Sequence, residues 1–211
     1  MSENDIHFLT KEIHMKSVIK EILEHAVNLP EGTPLVAKEL LHLGSRFSVD
    51  QALSRLARNG KLLRAGRGIY VLPIRGRFGI RAPAPSKVVE AIALQRGETI
   101  VAHGALAANA LGLTTQVPVR QVYLTAGRSR RLKLGAQTVE LRHAPSWQLI
   151  LPKSAAGDAV RALAWLGPDG AEEGLRILEH KLSKSALQEI VAMRGRLPTW
   201  MAKEVARLTN R

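Results

Sequence analysis

The chain has 211 residues, enough for one large domain or two small ones, and 31 Lys and Arg against 18 Asp and Glu give it a formal net charge of +13. It contains no cysteine, which excludes disulfides, thiolate metal sites and a cysteine nucleophile. No apolar run approaches the ~18 residues of a membrane span, and the polar, acidic start MSENDIHFLTKEIH does not fit a secretory signal, so we expect a cytoplasmic protein with no membrane partner.

The positive charge is concentrated in the middle of the chain. Residues 51–139 contain fifteen basic residues and only two acids, Glu90 and Glu98, and the stretch 51–89 contains nine basic residues and no acid. Such a block attracts polyanions, and nucleic acid is the commonest polyanion inside a cell. The alternative is a solvated basic surface, but the even spacing of these charges through otherwise structured sequence argues against it.

Two helices are predicted before residue 45. Apolar residues recur at i, i+3, i+4 and i+7 from Met15, which predicts a helix that runs to about Asn28. Thr33, with Pro34 in the first turn, predicts the start of a second helix that ends at Gly44.

A third helix is predicted by the capping box Ser48-Val49-Asp50-Gln51, and Gly60 closes it. Its apolar residues form one face, which we expect to be buried: Val49, Ala52, Leu53 and Leu56. Its polar residues form the opposite face: Asp50, Gln51, Ser54, Arg55 and Arg58. The polar face is therefore the one available to a partner.

The stretch KLLRAGRGIYVLP, residues 61–73, follows the third helix. A phosphate-binding loop would lead into a helix, whereas this turn leads into a β-prone run. A hairpin is favoured, because glycines at 66 and 68 provide the positive φ angles of a tight turn. Three helices followed by a hairpin indicate a winged helix-turn-helix over residues 15–74, with Arg64 and Arg67 at the rim of a DNA-contacting wing.

Residues 75–85 look like a basic linker, because Arg75, Arg77 and Arg81 stand among glycines and prolines. Two interpretations remain open for this linker. It lies along the phosphate backbone of a nucleic acid, or its charges are merely solvated. Residues 1–14 form an N-terminal extension.

The rest of the sequence, after the linker, predicts a small α/β domain at 86–145 and a helical C-terminal region at 146–211. Together with the winged helix-turn-helix, these segments predict the α+β fold class. A helix is expected from Ser86 to near Gly97, and an alanine-rich helix from His103 to Gly112. Three strands follow: Gln121–Thr125, Arg131–Leu134 and Thr138–Arg142. In the C-terminal region, helix breaks are expected at 167–168, 181–184 and 195–198.

No catalytic motif is present, so we expect no enzymatic activity, no cofactor and no metal site. An RNA- or nucleotide-handling enzyme would need convergent polar groups in 86–145, where the sequence offers only His103, Asn109 and His143. The second domain instead carries a basic patch at a turn between two strands: Arg128, Arg130, Arg131 and Lys133. Whether this patch meets DNA, RNA or an acidic protein stays open.

Three ordered motifs carry a resemblance to a known family. They are LGSRFSVDQALSRLARNGKLLRAGRGIYVLP in the first domain, then PSKVVEAIALQRGETIVAHGALAANALGLTTQVP and VYLTAGRSRRLKLGAQTVELRHAP in the second. From about Lys16 to Pro145 the chain resembles the AbiE-type (AbiEi-like) antitoxins and transcriptional regulators of type IV toxin–antitoxin systems.

The resemblance implies a bacterial DNA-binding repressor that silences its own operon and serves abortive infection, a form of phage defence. It implies double-stranded DNA as a partner, with inverted repeats in the promoter bound by a homodimer. It also implies a nucleotidyltransferase-like toxin whose action the antitoxin counteracts, without implying a stable complex. The α/β domain would then be the antitoxin domain.

The DNA-binding residues expected from this reading lie on the third helix, the wing and the linker: Gln51, Ser54, Arg55, Arg58, Lys61, Arg64, Arg67, Arg75 and Arg77. On the third helix, Arg can pair with guanine and Gln with adenine in the major groove, while the basic residues after it hold phosphate. A protein- or RNA-interaction module that uses the winged helix for docking is the alternative function.

Overall fold

The chain divides into two compact units, each with its own apolar core. The first comprises Met1–Arg96 together with Leu132–Thr138, and the second comprises Gly97–Arg131 and Val139–Arg211. The computed structural model describes residues 3–77 and 79–209, with side-chain environments from residue 15 to residue 208. The first two residues of the predicted N-terminal extension lie outside the described part.

The described residues of the first unit up to Arg96 form three α-helices, a 3-10 helix, a three-stranded antiparallel sheet and a two-stranded antiparallel ribbon. Its elements are α1 Glu3–Val27, β1 Pro34–Leu35, a 3-10 helix Ala37–Leu43, α2 Arg46–Arg58, β2 Leu63–Gly66, β3 Ile69–Val71, β4 Ile74–Gly76, β5 Gly79–Arg81 and α3 Pro85–Arg96. Strands β1, β3 and β2 form one sheet in that order, and β4 pairs with β5 in another.

The core of the first unit forms where α1, the 3-10 helix and α2 pack together. Helix α1 contributes Val18 and Ile22, both at most 1% exposed, from the predicted apolar stripe. Helix α2 buries Val49, Ala52, Leu53 and Leu56, as the sequence predicted. Helix α1 begins at Glu3, twelve residues before the predicted start at Met15.

The predicted start of the second helix is wrong. Pro34 and Leu35 form strand β1, antiparallel to β3 with Pro34 opposite Val71, and the following helix is a 3-10 helix. The Thr33 hydroxyl donates to the carbonyl of Pro30 at 2.8 Å instead of capping a helix. Strand pairing with a distant segment therefore outweighs the local capping signal, although the predicted end at Gly44 is confirmed.

The start of α2 also differs from the prediction, because Ser45 is the N-cap. Its hydroxyl accepts a hydrogen bond from the backbone N–H of Ser48 at 3.2 Å. The predicted capping box at Ser48 therefore lies inside the helix, and α2 gains Arg46 and Phe47 in its first turn. The helix ends at Arg58 with Asn59 as C-cap, and Gly60 takes a φ of 67° just beyond it.

The hairpin predicted for KLLRAGRGIYVLP is confirmed as β2 and β3, with the short turn at Arg67 and Gly68. Gly68 has a φ of 68°, whereas Gly66 lies in strand β2 and pairs with Ile69. Part of the segment predicted as a linker is ordered as the β4–β5 ribbon, in which Arg75 lies opposite Ile80. The composition of this segment predicted a linker and not a ribbon, because glycine and proline are typical of loops as well.

The second unit contains most of a four-stranded sheet and all the C-terminal helices. Its elements, with the hairpin that completes the sheet, are β6 Ile100–Ala102, α4 Gly104–Ala110, β7 Gln121–Thr125, β8 Arg130–Leu134, β9 Gln137–His143, α5 Ala155–Lys181, α6 Lys184–Ala192 and α7 Thr199–Ala206. The sheet order is β6-β7-β9-β8, with β7 antiparallel to β6 and parallel to β9. The three predicted strands are confirmed, while β6 was not predicted.

Helix α5 forms the centre of the second unit and packs against α4, α6 and α7. It bends at Gly167, which has a φ of 74°, so the predicted break at 167–168 is confirmed. Arg161 on α5 is only 1% exposed. Its guanidinium donates to the carbonyls of Gln148 and Ile150 at 3.3 and 3.2 Å and to Asp158 at 2.7 Å, which ties the preceding loop to the helix.

The architecture is thus a mixed α+β fold with a helical C-terminal region, the class that the sequence predicted. No helix in the described part of the chain is long and apolar enough to cross a membrane.

Candidate nucleic-acid interface

The outward face of α2 is polar and basic. Since an α-helix turns about 100° per residue, the buried face around Val49 leaves the polar residues predicted from sequence on the other side. Arg55 and Arg58 are exposed there, and Gln51 and Ser54 are half-buried. The structure therefore brings all four predicted residues of this helix onto one accessible face.

Five cations between the middle of α2 and the turn of the following hairpin are exposed and have no ionic partner in the part of the chain that the structure describes. Among residues 15–77 and 79–208, no carboxylate forms an ion pair with any of them. They are Arg55, Arg58, Lys61, Arg64 and Arg67. An unpaired guanidinium or ammonium can approach a phosphate without first breaking a salt bridge, which favours an anionic partner for this surface.

The hairpin turn and the start of α2 line the same cleft, which has a volume of ≈380 Å³. Arg67 and Gly68 of the turn line it together with Arg46 and Asp50 of α2. The 3-10 helix and the end of α3 complete the lining, chiefly with Lys38, Glu39, Gln95 and Arg96. The turn of the hairpin and the first turns of α2 therefore form one continuous surface.

The acids of this cleft are already engaged. Asp50 accepts a hydrogen bond from Nε of Arg46 at 2.8 Å, and Glu39 accepts one from Nε2 of Gln95 at 2.6 Å. Four cations and two acids line the cleft, so its balance is positive. Arg46 and Asp50 neutralise each other, and the cations that remain, Lys38, Arg67 and Arg96, outnumber the single charge of Glu39, so the cleft keeps an attraction for an anion.

Sequence reasoning missed three cations of this cleft, Lys38, Arg46 and Arg96. Arg46 was missed because the helix start was placed at Ser48, beyond it. Lys38 and Arg96 belong to elements distant in sequence, and nothing in the local pattern connects them with the hairpin turn. Their positions depend on the packing of β1 and α3, which Gln95 supports by donating to the carbonyl of Pro34 at 3.1 Å.

The remaining predicted DNA contacts lie on the second ribbon. Arg75 lies in strand β4 and Arg77 follows it, and both are exposed. Arg81, which the sequence grouped with them, has a carboxylate neighbour, since its Nη1 lies 3.5 Å from Oε1 of Glu31. Arg81 is exposed as well, so what sets Arg75 and Arg77 apart is that no carboxylate of the described residues pairs with them.

The predicted basic patch of the second domain is not a set of four equivalent cations. Arg130 is half-buried and forms an ion pair with Glu98 at 2.7 Å, so its charge is partly neutralised within the fold. Arg131 lies 3.4 Å from Glu140 but remains 76% exposed. Arg128 is exposed, and Lys133, which belongs with the first unit, is exposed as well.

The three polar residues considered for an enzyme each have structural contacts of their own. His103 is the N-cap of α4, and its Nδ1 accepts from the N–H of Ala105 at 3.2 Å. Asn109 donates to the carbonyls of Thr114 and Gln116 at 3.3 and 3.1 Å. His143 contacts the carbonyl of Gly127 through Nδ1 at 3.0 Å.

The environment of His103 favours its neutral form. Burial lowers the pKa of His103 below its ordinary value, and the charge of Arg142 lowers it further. A neutral ring is also what the cap requires, because Nδ1 can accept a hydrogen bond only while it is unprotonated. Among the described residues, no group of three or more His, Asp or Glu side chains is arranged to hold a metal ion.

Comparison with known proteins links the chain to one family. The model of DUF6088, a family of unknown function, matches residues 21–190. The match covers more than half of the chain and includes parts of both compact units. No curated protein and no solved structure matches the chain.

Proposed function

The chain belongs to DUF6088, a family whose function is open, and from the geometry of its first unit we propose that it is a DNA-binding transcriptional repressor. In this proposal the first unit is a winged helix-turn-helix, α2 is the recognition helix, and the β2–β3 hairpin is the wing. The order of α1, the 3-10 helix, α2 and the hairpin supports it, as does the three-stranded order β1-β3-β2.

The observation that carries the proposal is the row of cations that continues from α2 into the hairpin with no carboxylate partner among the described residues. Arg55 and Arg58 lie on the outward face of the helix, and Lys61, Arg64 and Arg67 follow within the nine residues after Arg58. If these charges were merely solvated, there would be no reason for the carboxylates of neighbouring elements to lie away from them. Duplex DNA offers phosphates on both sides of a groove, which matches a basic helix flanked by a basic hairpin.

The two elements divide the work of recognition. On α2, Gln51 can form a bidentate contact with adenine and Arg55 with guanine, so this helix supplies base discrimination. Lys61, Arg64 and Arg67 lie beyond the outward face of the helix and hold phosphates, which fixes the position of the protein on the duplex. Arg75 and Arg77 extend the phosphate contacts onto the second ribbon.

The antitoxin role is a further part of the proposal, and the resemblance to AbiE-type regulators supports it. In this role the protein represses its own operon, as a homodimer on inverted repeats, and the α/β domain counteracts a nucleotidyltransferase-like toxin in phage defence. Co-expression with the product of the adjacent gene tests it. Growth arrest by that product, relieved by the full chain and not by an Arg131→Ala, Arg128→Ala double variant, would support a role for the basic turn of this domain.

The first experiment on DNA binding is fluorescence anisotropy with the duplex upstream of the gene and a scrambled duplex at two salt concentrations. We expect a preference of ~10³ or more for the upstream duplex, with affinity that falls steeply as salt rises. Equal or absent binding to both duplexes would contradict the repressor proposal. The basic surface would then serve to dock a protein or an RNA, the alternative that the sequence left open.

A further inference from the structure

Phe47 lies in the first turn of α2 and is 59% exposed. It precedes Gln51 by four residues and Ser54 by seven, the spacing at which side chains share one side of a helix. The buried residue Val49 lies two positions on, which is about 200° around the helix axis. Phe47 therefore projects from the same face as the polar residues proposed to contact bases.

The neighbours of Phe47 along its face of α2 are polar. Next to it on the helix, Arg46 and Asp50 form an ion pair with Nε and Oδ2 2.8 Å apart. Farther along the same face, Ser54 and Arg58 follow Gln51. Single exposed apolar side chains are normal on protein surfaces, so exposure alone would carry no weight. Its position, at the start of the proposed recognition helix and in line with the proposed base contacts, is what requires an explanation.

We infer that Phe47 is a specificity-determining residue whose ring contacts the C5-methyl group of thymine in the major groove. The inference rests on the proposed function of α2. Recognition helices contact base edges mainly with their N-terminal residues, and Phe47 is in the first turn. The thymine methyl is the apolar group that the major groove presents, and phenylalanine is among the side chains that contact it.

The spacing within α2 also places this thymine relative to the adenine contacted by Gln51. Four residues of an α-helix advance about 6 Å, which is close to two base steps of about 3.4 Å each. Phe47 and Gln51 should therefore recognise a thymine and an adenine no more than about two steps apart. The protein would select a short A·T-containing segment on one side of the guanine contacted by Arg55.

The test begins with selection of duplexes from a random library by the full unmodified chain. In the enriched duplex each thymine is then replaced, one at a time, by deoxyuridine, which keeps every hydrogen-bonding group and removes only the methyl. One or two positions should weaken binding about four-fold each, which corresponds to roughly 0.8 kcal/mol for a buried methyl group. Phe47→Ala should bind the thymine duplex more weakly and become insensitive to uracil at those positions.

Two further variants serve as controls. Phe47→Leu keeps an apolar side chain and should retain part of the sensitivity to uracil. Val119→Ala removes an apolar side chain that is 99% exposed in the second unit, and it should leave both the affinity and the uracil profile unchanged.

Each outcome separates this inference from the function on which it rests. No enrichment of any duplex would contradict DNA recognition itself. Enrichment without sensitivity to uracil at any position in the unmodified chain would overturn the role of Phe47 and leave the repressor proposal intact. The uracil profile of the unmodified chain needs no variant, so a Phe47→Ala protein that failed to fold would not prevent the test. An unchanged uracil profile in a folded Phe47→Ala protein would also overturn the inference.

Discussion

Replacing Arg67, the cation in the turn of the β2–β3 hairpin, tests whether this hairpin holds DNA by its phosphates. Arg67 is exposed, lines the cleft beside the first turns of α2 and has no carboxylate partner among the described residues. Phosphates are the same in every sequence, so Arg67→Ala should weaken binding to the enriched duplex and to a random duplex by similar factors.

The salt dependence of binding gives the expected size of the effect of Arg67→Ala. The five proposed phosphate contacts are Lys61, Arg64, Arg67, Arg75 and Arg77. If each neutralises one phosphate, log K for one bound protomer should fall with log salt with a slope of about −4.5, roughly 0.9 for each contact. The affinity of the unmodified chain would then drop roughly 140-fold between about 50 and about 150 mM salt. For Arg67→Ala the slope should be about −3.6 and the drop roughly 50-fold over the same range.

Fluorescence anisotropy titrations at four or more salt concentrations measure both slopes, and two other variants make the comparison decisive. Arg55→Ala should cost ~1–3 kcal/mol on the enriched duplex and much less on a random one, since a bidentate contact to guanine is lost. Arg196→Ala removes the same charge from an exposed position in the second unit and should leave the slope unchanged. The reasoning is refuted if Arg196→Ala flattens the slope as much as Arg67→Ala, or if Arg55→Ala weakens both duplexes equally.

Three further predictions concern the second unit, whose unfolding in urea the fluorescence of its three tryptophans reports. Arg161→Leu should lower the free energy of unfolding by about 2–4 kcal/mol, because two carbonyls lose their buried donor. The matched control Arg176→Leu breaks an exposed ion pair with Glu173 and should change the free energy of unfolding far less, because solvent screens such a pair. Equal losses would contradict the role given to Arg161. Gly104→Ala should destabilise the second unit by about 1–3 kcal/mol, because the added Cβ would overlap the carbonyl oxygen of Arg161 and lie 2.6 Å from Cβ of Trp165. An unchanged urea midpoint would contradict this prediction and show that α4 and α5 can move apart. Because the pKa of His103 is lowered in the folded chain, the unfolded chain binds a proton near pH 6.5 while the folded chain does so only at lower pH, and stability should fall as the pH drops through this window. His103→Asn, which keeps a capping side chain, should show a smaller fall in stability. An equal fall would assign the effect to other groups.

Much of α2 could be predicted from sequence because its signals are local. The apolar period fixes which face is buried, and the opposite face with Gln51, Ser54, Arg55 and Arg58 follows from the same period. The start of the helix could not be fixed in this way, since Ser45 and Ser48 are both good N-caps. This ambiguity hid the first turn, and with it Arg46 and Phe47.

The ribbons and strands show a similar division. The β2–β3 hairpin was predictable because a short glycine-containing turn between two β-prone runs is a local signal. The strand β1 was not, because two residues, Pro34 and Leu35, become a strand only through pairing with β3. In the same way β6 is recognisable only by its pairing with β7, since three residues carry too little periodicity to indicate a strand.

The sequence by itself determined the excess of positive charge and the helix face that presents part of it, because charge content and helical period are properties of the residues and their spacing. Only the tertiary structure decided which charges are free. Arg130 and Arg67 look alike in sequence, yet Arg130 is held by Glu98, which is brought to it by the fold, while Arg67 stands in a cleft whose acids are already engaged. Whether a cation can bind a phosphate depends on the carboxylates within reach of it, and residues distant in the chain supply those carboxylates.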